Sequence, residues 1–294
     1  MSARLIEDVS DTARWVAYHR ALESERPDAL FRDPFARRLA GERGRRIAEE
    51  MPTLRFSHPG ARGMAWALAV RTKVIDELIL ESIRGVGAGA VLNLAAGLDA
   101  RPYRLALPPS LVWVEADRAP ILAAKTEVLA NATPACAVER VEADLADERA
   151  RGELLDRVAA RHERVVVVSE GLLVYLDERR VGSLADALHA RPSMQRWIFD
   201  NITPEALAQN MRVWGATLAE GNAVWRFAPA NGLDFFRSHG WSPVVTRSCI
   251  AEARRLGRYE MRSAWVLRAL SRVSARFRER IEGMVVYAEM GRSA

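Results

Sequence analysis

Residues 91–97 hold the tightest constraint on the fold of this chain. Val91-Leu92-Asn93-Leu94 is an apolar run that stops abruptly at Ala95-Ala96-Gly97. A strand ending in small residues lets a bound molecule approach the main chain closely, because no long side chain intervenes. Open α/β sheets present backbone to nucleotide-like ligands in this way. A loop with Asp99 and Arg101 follows the turn. Small residues after a strand also serve merely to turn the chain, so the segments downstream decide between the two readings.

Three later runs repeat the pattern, each with an acid at its end. Leu111–Asp117 reads as a second buried strand, followed by a helical stretch over 118–130. Glu115 and Asp117 alternate along it and so share one side. Asp117 is nearer the strand mouth and is the candidate to accept both hydroxyls of a ribose. It stands 20 residues after Gly97, about what one loop, one short helix and a strand require. Residues 137–142 form a third strand candidate that leads into Ala143-Asp144-Leu145. The Asp144 carboxylate suits an adenine amino group and the Leu145 N–H a ring nitrogen. Capping a helix over 147–161 is the competing role for Asp144. Val165–Val168 is β-branched and continuous, as a strand covered on both faces should be. It ends in Ser169-Glu170-Gly171, ahead of Leu172-Leu173-Val174-Tyr175-Leu176. A carboxylate held between two apolar runs needs a cation or hydrogen-bond donors, and a purely structural pair with an arginine such as Arg101 or Arg104 is the competing role for Glu170.

The flanking segments complete the outline. Up to about residue 85 the chain reads as helical: from Ser10 or Asp11 to about Glu23, from Asp33-Pro34 onward, and from Gly63 to Arg84. Alternating strands and helices over 90–202 predict a parallel sheet, with Arg196–Asn201 as its fifth strand. Residues 204–230 are too long for a plain connection and read as a helical insertion over the site. A helix over 232–239, a strand near 243–248, a helix near 265–281 and a last strand, Met284–Ala288, follow.

In chain order, NLAAGLDARPYRL (93–105), VEAD (114–117), ADL (143–145) and SEGLLVYL (169–176) resemble class I S-adenosylmethionine-dependent methyltransferases of the leucine carboxyl methyltransferase type. The likeness is to their bacterial small-molecule O-methyltransferase branch. The segment 11–41 and the pair Arg71-Thr72 share it. The resemblance implies a doubly wound, mostly parallel, seven-stranded α/β sheet with an antiparallel last strand. It divides the chain into a helical cap over 1–85 and a core over 86–294, with a lid insertion at about 204–230. The implied cofactor is S-adenosyl-L-methionine. Arg71 would then fork onto its carboxylate, the Ala95 backbone and Gly97 would face its methionine part, and Glu170 would stand near its amine. Asp117 would hold the ribose, and Asp144 with Leu145 the adenine. The acceptor would be a small molecule methylated on a carboxylate or a hydroxyl. The chain departs from the family at Ala95, usually Gly, and at Ala100, usually Thr. The Ala95 methyl is tolerated without strain if that residue keeps a negative φ.

Candidate residues for the acceptor wall are Trp15, Tyr18, His19, Trp66 and Tyr175; His19 follows Trp15 by one helical turn. A carboxylate acceptor is already ionised at neutral pH and needs no base, whereas a phenol or alcohol would benefit from one. Two other functions stay open on the residues. A nicotinamide-dependent oxidoreductase needs a similar turn and acid, although only Gly97 represents the G-x-G-x-x-G fingerprint. A non-catalytic cofactor-binding protein is the reading that Ala95 favours.

Composition narrows the field. The net charge is +5, and all the basic residues except Lys73 and Lys125 are arginines, scattered among acids. A nucleic-acid groove needs clustering. Two cysteines without a C-x-x-C pair, and no histidine cluster, predict no metal site and a reducing, cytoplasmic setting. The N-terminus carries Glu7, Asp8 and Asp11 and lacks an apolar leader. No apolar run reaches the about 18 residues of a membrane span.

Overall fold

A computed structural model of the chain describes residues 4–51, 65–259 and 282–293. Its strands are β1 (Ala90–Leu94), β2 (Val112–Asp117), β3 (Ala137–Glu142), β4 (Val165–Ser169), β5 (Met194–Ile202), β6 (Trp241–Ser248) and β7 (Val285–Arg292). They form one sheet in the order β3-β2-β1-β4-β5-β7-β6. β1 to β5 pair in parallel, and β7 is antiparallel to both of its neighbours. The strand order turns back between β1 and β4. In open α/β sheets the crevice outside the carboxyl ends at that point receives ligands.

Continuous apolar strands arise here because both sheet faces are covered. β1 and β4 are buried at every residue. Leu92, Leu94 and Val167 pack toward α6 (Glu148–Arg161) and α7 (Glu178–His189) through Leu155, Val158, Val181 and Leu184. Val91, Val166 and Val168 pack on the opposite face against α3 (Ala65–Val86), through Val74, Ile75, Leu78 and Ile79. Alternation along each strand assigns its side chains to the two layers.

The N-terminal helices α1 (Val9–Ser24) and α2 (Ala36–Glu50) pack over the ends of the strands and not on a sheet face. Ala17, Tyr18 and Leu39 join Leu98 of the β1 turn and Ile121 and Leu122 of α5 (Ala119–Val128). Trp15 and Ile47 share a second core with Trp214 and Leu218 of α8 (Pro204–Glu220). The segment 204–230 is therefore helical only as far as Glu220, and it packs against α1 and α2 above the crevice.

Several details differ from the sequence expectation. Asp8 caps α1, taking the Ser10 N–H at 2.6 Å, while Asp11 turns to Arg43 at 2.7 Å. α2 starts at Ala36; Asp33 accepts the Phe35 N–H at 3.2 Å on one oxygen and pairs with Arg20 at 3.0 Å on the other. Residues 232–239 form a 3₁₀ helix. The short helix expected between Gly97 and Asp117 is α4 (Arg101–Arg104), while α7 and α9 (Cys249–Arg255) are additional. The helix expected near 265–281 lies outside the described residues, as does Gly63 at the expected start of α3.

The clearest correction concerns Ala95, whose φ is +53°. The methyl is thus not accommodated at negative φ. It sits in the left-handed region, where an L side chain crowds the following carbonyl at about 1–2 kcal/mol. Ala95→Gly relieves that crowding and in part offsets it by loosening the unfolded chain. The expected net gain is about 0.5–1 kcal/mol, read as a rise in unfolding temperature of about 1–2 °C. An unchanged or lower melting point would show that the strain is absent.

Candidate active site

A cavity of about 710 Å³ lies over the carboxyl ends of β1 to β4, under α1 and α8. It brings together Arg71, Ala95, Gly97, Asp117, Asp144, Leu145 and Glu170, and of the aromatic candidates Trp15, Trp66 and Tyr175. Tyr18 and His19 do not line it. Tyr18 is 5 % exposed, in the core that joins α1, α2 and α5, with the Arg37 guanidinium 4.7 Å from its ring centre. His19 is buried edge-on against Trp15, ring centres 5.6 Å apart. Four residues advance a helix by about 6 Å, which carries His19 from the cavity wall into the packing behind it.

The β1 turn is shaped for close approach. Gly97 has φ +49°, and a β-carbon there would stand 3.3 Å from the Ala13 methyl of α1. Its N–H donates to Asp117 Oδ2 at 2.7 Å, and the Arg118 N–H donates to Asp117 Oδ1 at 2.7 Å. Asp117 thus caps two main-chain donors at the end of β2 while each oxygen keeps a second acceptor position. Burial pushes its carboxyl above the ordinary range, a shift that the two N–H donors only partly offset.

Glu115, two residues earlier, is fully buried and does not line the cavity. It pairs with Lys125 of α5 at 2.8 Å and Arg140 of β3 at 3.0 Å. After β3, Asp144 is exposed at the cavity edge and accepts from the Ala146 N–H at 2.9 Å. It does not cap α6; Asp147 does, accepting from Arg149 and Ala150.

A network of alternating charge fills the space between α3, the β1 turn and β4. Glu170 lies 2.7 Å from Arg101 Nη2 and 2.9 Å from Arg71 Nε. The Arg71 contact is one of charge alone, since its Nε–H finds no aligned acceptor among the described residues. Arg101 continues to Asp99 at 3.0 Å and to Asp76 of α3 at 2.6 Å. Burial by itself would raise the Glu170 carboxyl, but Arg101 and Arg71 outweigh it and hold the group below the usual range. Asp99 is depressed in the same way, burial being overcome chiefly by Arg101.

Arg101, offered by the sequence as a partner for Glu170, lines the cavity, and so do Asp99 and Asp200, to which the sequence assigns no role there. Asp200, near the end of β5, accepts from the Gly171 N–H at 2.6 Å and from Arg71 Nη1 at 3.4 Å. The rule that picked out the other acids, a carboxylate at a strand end, also applies to it. Overall, five carboxylates and four guanidiniums line the cavity among the described residues.

α1 closes the site. Arg20 reaches across to the Leu98 carbonyl at 2.6 Å, Arg118 to Ser10 Oγ at 3.2 Å, and the Tyr175 hydroxyl to Thr12 Oγ1 at 3.3 Å. No group of three or more metal-ligating side chains is found among the described residues.

Comparison with known proteins agrees with this architecture. A protein of Mycolicibacterium gilvum, provisionally named an S-adenosyl-L-methionine-dependent methyltransferase, is 32% identical over 262 residues, covering 81% of this chain and 83% of that protein. A Streptomyces coelicolor protein with the same provisional name is 30% identical over 78% of this chain and 82% of its own length. Among solved structures, a DUF574-family protein of Streptomyces avermitilis superposes with a TM-score of 0.60 at 18% identity, over 96% of this chain and 97% of its own. At that identity the likeness is one of fold. The family model for leucine carboxyl methyltransferase matches residues 13–189, a span that runs from α1 through the β1 turn, Asp117, Asp144 and Glu170 to α7. That match sets aside the nicotinamide-dependent reading, and the chain belongs to the leucine carboxyl methyltransferase family.

Proposed function

We propose that this chain, a methyltransferase that uses S-adenosylmethionine, passes the methyl group to a carboxylate oxygen of a small-molecule acceptor. The observation that carries the reading is the convergence in one cavity of the β1 turn, Asp117, Asp144 and the Arg71–Glu170 pair. The residues fit the cofactor on features of their own. Asp117 has spare acceptor positions for a diol, the Arg71 Nε–H lacks an aligned acceptor, and the excess of carboxylates suits a cation. In this reading Asp117 holds the ribose, and Asp144 and Leu145 face the adenine. Gly97 and the Ala95 main chain border the methionine part, with Arg71 on its carboxylate and Glu170 near its amine.

When bound, the cofactor supplies a methyl group activated on a sulfonium. The protein's part is then alignment and exclusion of water, and orientation alone is worth about 7–11 kcal/mol. α1 and α8 provide the cover. A carboxylate acceptor is supported by the lack, among the described residues, of a base beyond the acids assigned here to the cofactor. No histidine lines the cavity among the described residues, and burial raises the Tyr175 hydroxyl. Glu170 and Asp200 are committed to arginine. We also place the reaction in a reducing, cytoplasmic compartment, in keeping with two free, buried cysteines. Among the described residues no helix is long and apolar enough to cross a membrane.

The test is transfer of labelled methyl from S-adenosylmethionine to carboxylic acids and phenols, followed by mild base. An ester releases labelled methanol and an ether does not, so base-stable label alone would move the acceptor from carboxylate to hydroxyl. Asp117→Ala removes charge-assisted hydrogen bonds worth about 1.5–3 kcal/mol, so the Kd for S-adenosylhomocysteine should rise about 10- to 100-fold. Because the raised Asp117 carboxyl must be ionised to accept from the diol, wild-type affinity should fall as pH drops through that group's titration, and the variant should lose this dependence. Equal calorimetric affinities would assign the ribose to another residue.

A further inference from the structure

The charge of the cavity lining is uneven along the chain. Its carboxylates and guanidiniums come from α1, α3, the loops after β1 to β4, and Asp200. Every cavity residue contributed from Asn201 onward is uncharged among the described residues. That half is aromatic: Trp225 stands edge-on to Tyr175 with ring centres 6.5 Å apart, and Tyr259 edge-on to Trp66 at 6.1 Å. Within it lies an unsatisfied group. Asn201 is 6 % exposed and lines the cavity, and its Oδ1 has no hydrogen-bond partner among the described residues. Buried amide oxygens are ordinarily paired, so this one calls for a donor from a bound molecule.

We infer that the acceptor is a ring-bearing, largely apolar carboxylic acid that carries no second charge and offers one hydrogen-bond donor to Asn201. The inference rests on the carboxylate-methylation reading above. Its carboxylate sits at the boundary with the charged half, beside the methyl donor, and its body extends between the aromatic side chains. Planar rings fill the space beside edge-on aromatic pairs well. A second charge placed away from Arg71 and Asp200, among uncharged side chains, would be desolvated, which is costly. The reaction balances simply. One carboxylate oxygen forms a bond to the methyl carbon, the sulfonium–carbon bond breaks with its electron pair returning to sulfur, and no proton moves.

The experiment compares kcat/KM for 3-(4-hydroxyphenyl)propanoate, 3-phenylpropanoate, hexanoate, succinate and glutamate, with S-adenosylhomocysteine affinity measured in parallel. Both aryl acids should exceed succinate and glutamate by at least about ten-fold, and the hydroxylated acid should lead. Asn201→Leu should shrink the ratio between the two aryl acids by about ten-fold, a selectivity that a general loss of structure would not produce. Equal turnover of succinate or glutamate overturns the uncharged-body assignment, equal turnover of hexanoate overturns the ring, and an unchanged ratio in Asn201→Leu overturns the donor contact. Failure of every acid while S-adenosylhomocysteine binds overturns the inference alone. Failure to bind S-adenosylhomocysteine, or base-stable label on the hydroxylated acid, overturns the reading beneath it.

Discussion

Arg101→Met should destabilise the protein by about 3–5 kcal/mol and weaken S-adenosylhomocysteine binding in the same variant. Arg101 is 2 % exposed and joins Asp76, Asp99 and Glu170 at 2.6, 3.0 and 2.7 Å. Its loss leaves Arg104 on Asp76 and Arg71 on Glu170, and strips Asp99 of its nearest cation. Stranding one buried charge is far more harmful than removing a whole pair, because desolvation persists when the attraction is gone. The deficit should depend on pH. In the wild type Asp99 and Glu170 titrate below the ordinary range, so their contribution is full above the unfolded carboxyl pKa of about 4 and fades as pH falls through the depressed folded values. In the variant, burial without the guanidinium raises those same groups, so acid relieves it. Denaturant titrations at pH 7 and pH 4.5 should therefore show the gap between the two proteins narrowing at the lower pH. A gap that stays constant would mean that the carboxylates do not feel Arg101.

How far this arrangement can be read from the chain depends on the distance over which each part is decided. β1 and β4 were legible because burial on both faces forces an unbroken apolar run, and Asp117 and Asp144 because a strand end fixes where an acid emerges. α7 was legible in principle and overlooked: Asp177 is its cap, and Val181, Leu184, Ala185 and Leu188 recur at helical spacing. Of the two arginines that the sequence offers to Glu170, Arg101 is the one that binds it, at 2.7 Å, whereas Arg104 binds Asp76 at 2.6 Å. The link from Arg101 to Asp76 was not legible, since packing of α3 brings that acid in from far along the chain. Sequence also could not give the sign of φ at Ala95, because the closure of that turn onto Asp117 and α1 decides it. Trp15 and His19 share a helical face, but only the packing of α2 over α1 determines that one reaches the cavity and the other does not.

The same reasoning separates Glu115 from Asp117, two acids that pattern alone places side by side. Glu115→Leu should lower stability by about 3–5 kcal/mol, because Lys125, fully buried, then has no counter-charge. Arg140 is partly exposed and can turn to water, so the lysine carries most of the deficit. The double variant Glu115→Leu/Lys125→Met replaces the buried pair by apolar groups of similar length and should recover most of that loss, since such replacements are often neutral or better. Glu115 does not line the cavity, so S-adenosylhomocysteine affinity should change less than two-fold in the double variant, against the 10- to 100-fold loss expected for Asp117→Ala. Urea midpoints with unchanged slope, together with calorimetric titration, measure both quantities. A double variant as unstable as the single would place the strain in shape and not in charge, and a double variant that loses the cofactor would make Glu115 part of the site.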